Sequence, residues 1–127
     1  MEIKRLPDGE LAVMQAIWLQ HKPASASVIR EQLQGRVNWP LSSLITVLNR
    51  LCQKGFLLCR KEDGHNTYEA IIGEEVYRQA ESRDFLARLY DNSLTALVSS
   101  LYDARSLKQE DIAQLQSFLD SLKGGGQ

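Results

Sequence analysis

Thiols are scarce in this chain. Cys52 and Cys59 are the only cysteines in 127 residues, and no second pair accompanies them. A structural zinc site needs more ligands at tighter spacing. His21 and His65 are too scattered to supply them, so no metal is expected. Two lone thiols instead fit a reduced, cytoplasmic protein. Long apolar runs are missing as well. Nothing approaches the roughly 18–20 residues needed to cross a bilayer, so membrane insertion is not expected. The first residues, Met1 to Pro7, are charged and run straight into a helical pattern, unlike a secretory leader. Paired catalytic carboxylates, a nucleophile with its base and a glycine-rich phosphate loop are all lacking. Asp84, Asp91 and Asp103 read as solvated helix residues or caps. No enzymatic activity and no cofactor are expected.

Charge imbalance is missing only on average. The formal net charge is −1. Residues 1–70 hold nine Lys/Arg against seven Asp/Glu, whereas residues 71–127 hold six against nine. Between positions 30 and 61 the cations Arg30, Arg36, Arg50, Lys54, Arg60 and Lys61 face Glu31 alone, a local net of +5. Such a patch is the footprint of a polyanion binder whose mean composition conceals it. Apolar residues make up 43%, enough for a core, and the length fits one small domain, or one domain with an association segment.

Along the chain the pattern begins with a helix opening near Leu6-Pro7-Asp8, with Asp8 as its expected N-cap. Leu11, Met14, Ile17 and Trp18 recur at helical spacing until His21-Lys22-Pro23 interrupts. Ser25-Ala26-Ser27 suggests a short extended piece, with Ser25 or Ser27 opening a second helix that ends near Gly35. A third helix is expected over 41–54, closed by Lys54-Gly55. Two β-suited runs between 56 and 72 then flank Glu62-Asp63-Gly64-His65-Asn66, a hairpin turn. Helix, helix, helix, hairpin is the order of a winged helix-turn-helix. From Glu74 onward everything reads as helix: one run to Tyr90, a second through Leu94, Leu97, Val98 and Leu101, and a third opened by a capping box at Ser106 and Gln109. The expected fold is therefore mostly α (α+β), a winged helix-turn-helix head over 1–73 and a helical dimerisation tail over 74–123, with 124–127 as a flexible end.

The third helix carries the sharpest signal. Acidic residues are absent from WPLSSLITVLNRLCQKGF, positions 39–56. At ~100° per residue, Leu41, Leu44, Ile45, Val47, Leu48, Leu51 and Cys52 share an arc of about 160°. That arc is expected to pack on the first two helices. Ser42, Ser43, Thr46, Asn49, Arg50, Gln53 and Lys54 fill the remainder. A solvated face ordinarily mixes signs, because i,i+4 ion pairs support a helix. Hydroxyl, amide and cationic side chains without acids suit base edges and phosphates. Ser42, Ser43 and Thr46 stand nearest the N-terminus, the end that a recognition helix presents to the major groove. In the hairpin, Arg60 and Lys61 with His65 and Asn66 are expected to touch the backbone or minor groove beside it.

These residues resemble a known family. LPDGELAVMQAIW, Trp39 ahead of Ser43, Thr46, Leu48, Arg50, Leu51, Lys54 and Gly55, and a hairpin ending T-Y-E-A are similar to the penicillinase-repressor (BlaI/MecI/CopY-like) family over nearly the whole chain. The resemblance implies a bacterial homodimeric transcriptional repressor whose winged helix binds a palindromic double-stranded DNA operator. It implies dimerisation through the C-terminal helices, and, in some members, induction when a membrane sensor-protease system triggers cleavage of the repressor. The family's Asn-Phe cleavage position falls here at Ser100-Leu101, a departure from the pattern. Copper-responsive members carry a cysteine-rich C-terminal metal motif, and this C-terminal half holds no cysteine.

On its own terms the second half is rich in leucine. Its three helices carry more apolar stripe than a head of seventy residues covers, and two-fold pairing would bury it. Leu86, Leu89, Leu94, Leu97, Val98, Leu101, Leu115 and Leu119 are the expected dimerisation residues. Two alternatives stand beside the repressor. One is a small-molecule sensor with a pocket between head and dimer helices, lined by Trp18, Tyr68, Tyr77 and Phe85. The other is a winged helix serving as a protein–protein interaction module.

Overall fold

The computed structural model describes residues 2–125, and its element order is α1 (Asp8–Gln20), β1 (Ala24–Ser25), α2 (Ala26–Leu33), α3 (Leu41–Gln53), β2 (Leu57–Glu62), β3 (His65–Ala70), α4 (Glu74–Tyr90), α5 (Leu94–Asp103) and α6 (Gln109–Gly125). The fold is mostly helical with one small antiparallel sheet, in strand order β1-β3-β2. A winged helix-turn-helix is thus in place.

Helix ends follow local chemistry, with two corrections. Asp8 is the first residue inside α1, and Pro7 holds the cap position without a side-chain hydrogen bond. Proline supplies a pre-set φ, which makes a capping carboxylate dispensable there. Ser106 does not open α6 either. Its N–H donates to Leu101 O and closes the C-terminal end of α5, and the box is instead closed by Lys108 N donating to Asp111 Oδ2 at 2.9 Å. Ser25 does cap α2, accepting from Val28 N at 3.3 Å. The β2–β3 turn is the two-residue Asp63-Gly64, with φ of 49° and 80°. Two positive φ values define the tight hairpin turn that matches strand twist, so the strands reach closer to the tip than expected and His65 belongs to β3.

The chain forms two compact units, residues 1–82 and 83–127. The division expected at 73/74 followed the end of the sheet. Contacts carry the first unit into α4 because Tyr77, only 2% exposed, belongs to its core. Its ring centroid lies 5.9 Å from Trp18 and 5.8 Å from Phe56, and its hydroxyl oxygen accepts from Leu6 N at 2.8 Å. Burial pushes that phenol up to about 12. Val13, Met14, Ile29, Leu44, Leu48 and Leu51 are fully enclosed in the same core. Gly9 lets Trp39 lie against α1, since a Cβ there would stand 3.1 Å from the indole Cη2. Arg30 Nε donates to Trp39 O at 3.0 Å, tying down the turn between α2 and α3.

The second unit is built differently. Among the described residues, α5 and α6 bury no side chain. Helix α6 runs to Gly125, into the segment expected to be the tail. The last two positions of that expected tail, 126 and 127, lie outside the described residues.

Candidate nucleic-acid interface

Helix α3 forms because its apolar arc meets the enclosed core. Leu44, Leu48 and Leu51 are fully buried. The arc read from sequence is wider than the surface that covers it. Val47 and Cys52 are only half-buried, and Leu41 and Ile45 at the arc's edge are 37% exposed. Ile45 is therefore not core filler. Together with Asn49 it lines a cleft of about 420 Å³ against the hairpin and the start of α2. Burial pushes the Cys52 thiol above its ordinary value, with Cys59 adding to the effect.

The outward face of α3 is as the helical wheel drew it. Ser42, Ser43, Thr46, Asn49, Arg50, Gln53 and Lys54 are all exposed. Thr46 Oγ1 donates to Ser42 O at 3.1 Å, which restrains its rotamer. The two cations are not solitary. Lys54 Nζ donates to Glu10 Oε1 at 2.5 Å, and an Arg50 guanidinium nitrogen lies 3.8 Å from Glu10 Oε2. Glu10, on the first turn of α1, is the sole buried charged residue among those described, at 5% exposure. Sequence reading missed it. It looked like one more acid in the first turn of a helix, where dipole preference already accounts for acids.

Strand alternation separates hairpin residues that sequence reading grouped. Residues paired across a ladder share a face, and neighbours along a strand do not. Cys59 pairs with Tyr68 and Lys61 with Asn66. Tyr68 is buried, so this face looks inward, and Lys61 and Asn66 continue it into the cleft beside α3. Arg60 pairs with Thr67 on the other face, where its Nε stands 3.3 Å from Glu69 Oε1. His65, next to the turn, also lines the cleft. So do Ser25, Ala26 and Ser27 at the N-terminus of α2. Their sequence signal was a helix cap, and only the sheet order brings that cap to the hairpin.

The residues of the alternative ligand pocket have these places: Phe85 is half-buried in α4, and Trp18 and Tyr68 each line a cleft. Trp18, Tyr68 and Tyr77 are buried members of the core, at 9%, 2% and 2% exposure. Among the described residues, no group of three or more His, Cys, Asp or Glu could hold a metal ion. No helix among them is long and apolar enough to cross a membrane.

Three short helices, a β-hairpin wing and an acid-free third-helix face define the winged helix-turn-helix class. The family model described as Penicillinase repressor matches residues 6–121, and the chain belongs to the penicillinase-repressor family. It is 30% identical over 122 residues to the penicillinase repressor of Bacillus licheniformis, covering 96% of this chain and 94% of that one. It is 28% identical over 115 residues to the methicillin resistance regulatory protein MecI of Staphylococcus aureus (strain N315), with 91% and 93% covered. Among solved structures it is similar to monomeric Bacillus licheniformis BlaI in complex with the blaP half-operator. That match has a TM-score of 0.51 and 30% identity, and it covers 60% of this chain and 92% of the other.

Proposed function

We propose that the protein is a transcriptional repressor that binds a palindromic operator as a homodimer. The outward face of α3 carries this reading: five uncharged polar side chains and two cations, all exposed, with no acid on that face. Ser42, Ser43 and Thr46 enter the major groove first, followed by Asn49 and Gln53, whose amides pair bidentately with adenine. Ile45, at the cleft edge, offers an apolar contact to a thymine methyl. Arg50 supplies charge along the same face. Lys61, His65 and Asn66 meet the backbone from the hairpin, and the α2 N-terminus at Ser25 and Ser27 adds backbone N–H groups that suit a phosphate. Arg60, on the opposite hairpin face, reaches a phosphate only by leaving Glu69.

Support for the homodimer comes from the second unit. Leu89, Leu94, Leu101 and Leu119 are 55%, 52%, 38% and 41% exposed, and Leu86, Leu97, Val98 and Leu115 are only half-buried. Phe118 and Leu122, at 58% and 53%, extend the same apolar surface. A second copy supplies the missing cover. Induction by a membrane sensor-protease would have to open α5, because Ser100 and Leu101 sit inside that helix and a protease binds extended backbone.

The test is a gel-shift titration on the DNA upstream of its own gene, at 50 and 200 mM salt, with Asn49→Ala/Gln53→Ala and Lys61→Glu alongside. Tight, competitor-resistant, salt-sensitive binding is expected. The amide double variant should lose discrimination by about 1–3 kcal/mol per lost base contact, and Lys61→Glu should flatten the salt slope by roughly one per protomer. Binding no tighter than to unrelated DNA would overturn the reading and turn attention to a protein partner.

A further inference from the structure

Of the two α3 cations that Glu10 faces, Lys54 has no part in the contacts just described, and Arg50 lends them only charge. Arg50 and Lys54 lie one helical turn apart. Left alone, they would form the strongest phosphate attractor on the helix. Phosphate attraction carries no sequence information, and it supplies essentially all of non-specific binding. Glu10 faces them from α1, with its side chain 6% exposed, while Arg50 and Lys54 keep 54% and 38% of their side-chain surface in solvent.

The asymmetry matters. The carboxylate is fixed in the core margin, on the first turn of α1, where the helix dipole favours negative charge. The cations are the mobile partners. Lys54 is held in a hydrogen bond, and Arg50 at 3.8 Å is only tethered. Removing the carboxylate would leave neither cation buried, since both can swing into water or onto DNA.

We propose that Glu10 is a specificity-determining positioning residue, which neutralises Lys54 and restrains Arg50 so that the uncharged side chains of α3 dominate sequence choice. The inference rests on the DNA-binding reading above. Glu10 touches no DNA on this account. It lowers the sequence-blind part of the affinity and so widens the gap between operator and other DNA.

Two variants test it in the full chain, with operator and scrambled duplexes titrated between 50 and 200 mM salt. Glu10→Gln is expected to bind scrambled DNA about three- to tenfold more tightly, with the salt slope steeper by roughly one per protomer. Its operator-to-scrambled ratio should fall correspondingly. Glu10→Gln/Lys54→Met removes the pair without changing net charge, and it should return the slope to the wild-type value. A Glu10→Gln slope equal to that of wild type would show a purely structural pair and overturn the proposal. A shallower slope would overturn it too, because Glu10 would then be aiming the cations at phosphates. Should Glu10→Gln fail to fold, the double variant decides alone: a slope about one unit below wild type means that Lys54 contacts phosphate and the proposal is wrong. Failure of the wild-type protein to prefer any operator would instead remove the parent reading, a distinguishable result.

Discussion

The two compact units obey opposite rules. In residues 1–82, eighteen apolar side chains are buried around α1, α3 and the sheet, and a buried carboxylate finds two cations. In residues 83–125 no side chain is buried, and large apolar residues from Leu89 to Leu122 stand in solvent. Hydrophobic stabilisation scales with apolar area removed from water. The first unit has that area to itself, whereas the second has it only if something else covers the leucines. Helices of 10 and 17 residues are marginal in isolation. On their own, the exposed leucines of α5 and α6 leave these helices without that stabilisation.

The largest expected effect comes from breaking the second unit. Leu94 and Leu101 lie two turns apart on one side of α5. Replacing both with Asp should convert dimer to monomer in sedimentation equilibrium and weaken operator binding at least a hundredfold, since two half-sites must then be bound separately. A monodisperse dimer with unchanged affinity would show that α5 is not in the interface. Next in size is Leu48→Ala, which empties a fully buried position of α3. Thermal melting should report a loss of about 2–5 kcal/mol, with the oligomeric state unchanged.

Tyr77→Phe probes the packing of α4 in the core of the first unit. It leaves Leu6 N–H without its acceptor and should cost about 1–3 kcal/mol. A pH signature accompanies it. Because burial raises the folded pKa of this phenol to about 12, its contribution is complete below the unfolded value near 10 and is lost as pH climbs from there towards 12. Alkaline melts of the wild type should therefore fall more steeply over that window than those of the variant. Equal slopes would contradict the burial argument. The smallest effect is expected for Ser25→Ala, which removes the α2 cap at a cost of about 1 kcal/mol by chemical denaturation. If the α2 N-terminus also meets a phosphate, operator affinity should drop by more than the stability change explains.

Much of this arrangement was legible in the residue order. The three head helices, the hairpin and the α3 polar face were readable because helical periodicity, a glycine C-cap and an Asp-Gly turn are local signals. The family resemblance quoted from Trp39 to Gly55 agrees with the family match over residues 6–121. Less legible was where the apolar arc of α3 stops being covered, which put Ile45 at the cleft instead of in the core. Hairpin parity was in principle available, yet Arg60 and Lys61 were grouped by adjacency when alternation sends them to opposite faces.

By itself the sequence determined what each segment could become, since capping, periodicity and the missing acids of 39–56 all act within a few residues. Tertiary structure alone decided which charges meet. Glu10 and Lys54 are separated by 44 positions, and no local rule joins them. Their pairing follows from α1 packing across α3, which places a carboxylate beside the two cations of the α3 polar face.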